Sequence, residues 1–137
     1  MRYPDRFSWP EGVTAGVSLT FDDGRESQFE QCLPILDRHG IRASFYVPPH
    51  AMERNVAGWK AVADSGHEIG NHSKSHACSG NFSWADPGLE DLDLEWMEND
   101  ILEAQAAIES MIGVTCRTFA YPCGHTFVGR GEDRRSY

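Results

Sequence analysis

"AGVSLTFDDGRESQFEQCLPILDRHGIRASFYV", residues 15–47, decides the fold. Its first part places apolar residues at Val17, Leu19 and Phe21, the two-residue period of a strand, and stops at Asp22-Asp23-Gly24. The next part sets Phe29, Leu33 and Leu36 on one helical face and closes at Gly40, a natural helix cap, with Pro34 predicting a kink or late restart. "IRASFYV" (41–47) is a second strand, halted by Pro48-Pro49. Strand, helix and strand in this succession make a right-handed βαβ unit with two parallel strands.

Outward from there the alternation continues. "VAGWKAVADSG" (56–66) reads as a helix closed by Gly66, and "HEIGN" as a short third strand. A polar and aromatic loop, "SKSHACSGNFSWADPG", leads to the clearest helix, near 93–112. There Met97, Ile101, Ala104, Ile108 and Ile112 keep a helical rhythm and Gly113 ends it. "CRTFAYPCG" (116–124) is a fourth strand broken by Pro122. The fold class is α/β: parallel-sheet βα units forming part of a (β/α) barrel, or a small open sheet, since a closed barrel takes about 200 residues or more. Residues 1–137 make one domain, incomplete as a barrel, with 125–137 expected as a loose, charged, glycine-rich tail.

Composition excludes several roles. A formal net charge of −9 argues against a nucleic-acid binder and against docking on anionic lipid. No apolar run approaches bilayer-spanning length, and "MRYPDRFSWPEG" has no apolar signal core. Cys32, Cys78, Cys116 and Cys123 form no CxxC pair, so they read as reduced thiols in a cytoplasmic protein.

The chemically notable residues fall where strands end: Asp22 and Asp23 after the first, His72 after the third, Cys123 and Gly124 after the fourth. In parallel α/β folds those ends share one rim, where active sites collect. His72 and His76 stand four apart, so a helical turn over 72–76 would aim both rings at one metal ion. One of the two aspartates supplies a third ligand, and the other is left to accept a proton. A His-His-Asp set keeps coordination positions open and accepts several divalent ions. His39 and His67 read as structural. Glu68 and Arg117 read as exposed strand charges. Phe82 and Trp84 read as pins of their loop, with sugar stacking as the alternative.

"LTFDDG", "HEIGNHSKSH" and "RTFAYPCG", in this order and with "LPILDRHGIRASFYV" between the first two, resemble the first three motifs of the polysaccharide deacetylases, the NodB-homology or family 4 carbohydrate esterases. The likeness covers roughly residues 15–125. It implies a distorted (β/α) barrel and removal of N- or O-acetyl groups from an acetylated carbohydrate with a divalent metal, zinc first, with cobalt, nickel, iron or manganese as alternatives. It makes Asp22 the general base, Asp23, His72 and His76 the metal ligands, and the backbone N–H of Cys123 an oxyanion donor. Ala120 stands where many members carry arginine, and the chain ends before the family's later motifs, which include a leaving-group acid. His125 is the nearest replacement acid. Two other readings are kept: a non-catalytic truncated fragment that binds metal or glycan, and a hydrolase of a small amide or ring imide. Missing strands leave an open sheet edge, through which a homodimer is expected.

Overall fold

The computed structural model describes residues 9–137. Three parallel strands, β1 (Thr20–Asp22), β2 (Ser44–Val47) and β3 (Glu68–Asn71), lie in that order, with Phe21, Phe45 and Ile69 in register. Between β1 and β2 runs a π-helical turn, Gln28–Cys32, followed by α1 (Leu33–His39). The predicted break at Pro34 takes this form: the helical run widens to a π-helical turn over Gln28–Cys32 just before the proline and resumes as α1. Gly40 ends α1 in the left-handed conformation. Between β2 and β3 come α2 (Pro49–Met52), a 3-10 turn Glu53–Asn55, and α3 (Val56–Asp64), whose cap is Asn55 accepting from the Gly58 N–H at 2.9 Å.

The longest helix, α4 (Leu94–Ile112), starts where the Asp93 carboxylate accepts from the Trp96 N–H and ends at left-handed Gly113. Met97, Ala104, Ile108 and Ile112 are buried as their spacing predicts, while Ile101 is only half-buried. Ile108 and Ile112 join Phe45, Val47, Met52, Trp59, Val62 and Ile69 in the main core. Phe45, fully buried, meets the rings of Phe21 at 5.2 Å and Trp59 at 5.8 Å.

Three expectations need correction. The first strand is shorter than 15–21, with Val17 left exposed. The fourth strand shrinks to one parallel bridge, Asn71 to Phe119, because Pro122 opens a 3-10 turn and offers no N–H to a ladder. The tail is not loose: β4 (Phe127–Val128) and β5 (Arg135–Ser136) pair antiparallel, and Val128 is buried in a second core with Leu89 and Met97. Arg134 covers the Phe127 ring at 3.7 Å. No helix among the described residues is long and apolar enough to cross a membrane.

Candidate active site

The C-terminal ends of β1 and β3 bring the site together. Asp22 ends β1, and the chain turns at once through Asp23 and Gly24, both with positive φ. A side chain on Gly24 would lie 2.7 Å from Val47, so the turn presses directly on the end of β2. Successive residues at a pleated strand end point apart. Asp23 accordingly meets the histidines, while Asp22 is exposed and its backbone carbonyl accepts from Gln28 Nε2.

His72 follows β3 directly and is buried. Its Nδ1 donates to the Ala120 carbonyl at 2.9 Å, which leaves the Nε2 lone pair free and the ring fixed. That Nε2 lies 3.4 Å from Asp23 Oδ1, and His76 Nε2 lies 3.2 Å from the same oxygen. The three ligand atoms lie within 4.8 Å of one another. Burial acts to raise the Asp23 carboxyl pKa; the Arg25 hydrogen bond, then His76 and His72, outweigh it and hold the group below its ordinary value. Two imidazole nitrogens and a carboxylate oxygen are a donor set that several divalent ions accept.

The 72–76 segment is not the expected helical turn. Ser73 and His76 have positive φ, and side chains hold the loop instead. Asn71 accepts from the Ser73 N–H at 2.8 Å, Ser73 Oγ from the His76 N–H at 3.0 Å, and the buried Asp100 from the N–H groups of Lys74 and Ser75. Asp100 and Arg25 were both missed by sequence reasoning. Asp100 had one visible mark, a carboxylate interrupting the apolar stripe of α4. Arg25 had none; its guanidinium grips Asp23 Oδ2 at 3.1 Å and leaves Oδ1 to the histidines.

The four cysteines are not all thiols. Cys78 and Cys123 form a disulfide, because the return of the chain beside β3 brings residues 45 apart in sequence to 6.0 Å between Cα atoms. Cys32 and Cys116 remain free, and burial pushes the Cys116 thiol up to about 11. Cys78 and Cys123 also cluster with His76, but disulfide sulfurs cannot act as thiolate ligands. Cys123 has φ 55° in the turn after Pro122, so its backbone is held in a conformation uncommon for a side-chain-bearing residue.

An open cleft of about 520 Å³ adjoins the site, lined by Asp23, Arg25, His50, Arg54, His76 and Trp84 among others. Phe82 and Trp84 do not pin the loop: they are 41% and 59% exposed and stack on each other 5.2 Å apart. His125 lines a different cavity, with Nδ1 accepting from the Ser79 N–H and its ring against Phe82 and Phe127. Glu68 bonds Ser44 and Thr118 rather than either metal-type histidine, and His67 accepts from the Ala43 N–H as a structural residue.

A carboxylate and two histidines thus converge at the C-terminal rim of a parallel sheet. The chain belongs to the polysaccharide deacetylase family, whose model matches residues 12–128. A peptidoglycan-N-acetylglucosamine deacetylase of Bacillus cereus is 32% identical over 97 residues, covering 70% of this chain and 41% of that one. The family 4 carbohydrate esterase of Streptomyces lividans, solved with acetate, superposes with a TM-score of 0.65 at 29% identity, over 80% of this chain and 52% of that one. The peptidoglycan deacetylase of Bacillus subtilis gives 0.64 at 26%, over 84% and 50%. The chain thus spans about half or less of the length of these relatives.

Proposed function

We propose that the chain is a metal-dependent deacetylase of an acetylated carbohydrate, with Asp23, His72 and His76 holding a divalent ion, zinc foremost. The convergence of one carboxylate oxygen and two imidazole nitrogens, with the exposed Asp22 next in sequence to the carboxylate ligand, carries this reading. An ion held there would polarise the acetyl carbonyl and acidify water. Asp22 takes the proton of the attacking water. The backbone N–H of Cys123 donates to the carbonyl oxygen as negative charge develops on it. Collapse breaks the bond from the acetyl carbon to nitrogen or oxygen, releasing acetate. The proton taken up by Asp22 passes to the leaving amine or alkoxide, which assigns no step to His125.

The peptidoglycan deacetylases among the relatives favour an N-acetylated glycan as substrate. The Cys78–Cys123 disulfide favours an oxidising compartment over a cytoplasm. β1 has a strand partner on one side only among the described residues. Beside it Leu19, Ile35 and Ile41 are exposed around an apolar cleft of about 580 Å³. A second copy covers that edge in a homodimer, and light scattering that finds only monomer at high concentration overturns this part. The enzymatic reading is tested by acetate release from N- and O-acetylated sugars and small amides, comparing metal-loaded wild type with Asp22→Asn. Loss of turnover with metal retained supports it. Equal turnover in both proteins removes Asp22 as base.

A further inference from the structure

The cleft beside the triad carries charge opposite to that of the chain. The protein has 21 acidic against 12 Lys and Arg residues, yet this cleft is lined by Arg25, His50 and Arg54, with Asp23 the sole carboxylate among its lining residues. His50 lies on α2 and Arg54 on the turn that follows, so both project from the same rim as the triad. Lys60, Lys74, Arg42 and Arg130 each pair with a carboxylate, and Arg25 is occupied by Asp23. Arg54, like Arg38, Arg117, Arg134 and Arg135, makes no such pair among the described residues, but of these it alone lines the cleft. Trp84 also lines the cleft, 59% exposed, its ring centroid 6.4 Å from that of His76.

We propose that this cleft takes an acetylated sugar bearing an anionic group, a carboxylate or a phosphate, which Arg54 and His50 hold while Trp84 covers a face of the ring. The acetyl group in this statement rests on the deacetylase reading; the anion recognition does not. A guanidinium fork matches either anion with two parallel hydrogen bonds, and an imidazole adds a further donor. The chain's net negative charge does not prevent this, since screening confines it to about 8 Å at physiological salt, whereas the contact is direct. An aromatic face beside the cation accepts a ring of any charge, so charge selection falls to Arg54 and His50 and general sugar affinity to Trp84.

The test uses metal-loaded protein and matched N-acetylated sugars that are neutral, carboxylated or phosphorylated. It measures kcat/KM for acetate release, and binding of the corresponding deacetylated sugars by calorimetry. One anionic series is favoured over the neutral by about tenfold, the gain of one good charge-assisted contact, and the series favoured identifies the anion. Arg54→Gln collapses that ratio towards one with bound metal unchanged, while Trp84→Ala weakens all sugars alike and preserves the ratio. If no sugar releases acetate but wild type still binds the anionic sugar preferentially and Arg54→Gln does not, the deacetylase reading fails and this one stands. Equal handling of neutral and anionic sugars by wild type, or an undiminished ratio in Arg54→Gln, overturns it.

Discussion

Replacing Cys78 and Cys123 together by alanine removes the only covalent tie between the loop that carries His76 and the turn that follows residue 120. The bridge closes a loop with a sequence separation of 45. The chain-entropy relation gives about 4 kcal/mol of stabilisation for a loop of that size. Unfolding entropy near 60 °C is about 2.1 cal/mol/K per residue, hence roughly 0.29 kcal/mol/K for this chain, and the midpoint should fall by about 14 °C. The assay is a thermal melt by circular dichroism of wild type and double variant, neither exposed to reductant. A thiol titration in denaturant accompanies it: two thiols, Cys32 and Cys116, react before reduction and four after. Four thiols before reduction would show that the bridge does not form, and a midpoint drop below about 3 °C would show that closing this loop constrains the unfolded chain far less than the relation requires; either refutes the reasoning.

Gly24→Ala forces a left-handed conformation on a residue whose new Cβ meets Val47 at 2.7 Å and Ala51 at 3.0 Å. It should cost about 1–2 kcal/mol from the backbone alone and shift Asp23, with metal affinity down at least tenfold; unchanged affinity by titration contradicts this. Ser79 Oγ–H, then the Gly80 N–H, hold Glu90 well below its ordinary 4.5, to about 2. A depressed carboxylate contributes stability above its unfolded pKa and loses it as pH falls, so this contribution disappears between about pH 4.5 and 2. Glu90→Gln should flatten that part of the melting profile, and identical slopes in both proteins count against the bond. His125→Gln should change kcat by less than about threefold, since the ring lines another cavity; a loss beyond about 100-fold, the scale of a general acid, with metal retained makes His125 that acid.

The βα alternation was legible because strand and helix periods differ and because Gly40, Gly66 and Gly113 stand where left-handed stops are needed. The strand ends placed Asp22, Asp23 and His72 on one rim, the four-residue spacing added His76, and only the family resemblance singled out Asp23 over Asp22; Asp23, His72 and His76 do lie together in the structure. What was not legible depends on contacts between remote segments. The loop from Ser73 to His76 is shaped by Asn71 and by Asp100, which lies a helix away, so local spacing suggested a helical turn that does not form. The disulfide arises from the parallel return of 118–120 beside β3, which no cysteine spacing reveals. The tail's glycines and charges suggested looseness, yet Phe127 and Val128 find an apolar seat against Leu89 and Met97 that only the fold provides.

The central claim is that Asp23, His72 and His76 hold the metal, and X-ray absorption on protein loaded with one equivalent of zinc tests it most directly. The account predicts one tightly bound ion with nitrogen and oxygen neighbours at about 2.0–2.2 Å, including two imidazoles, and loss of that ion in Asp23→Ala. A sulfur shell at about 2.3 Å would place the metal on His76, Cys78 and Cys123 instead and would contradict both the triad and the disulfide.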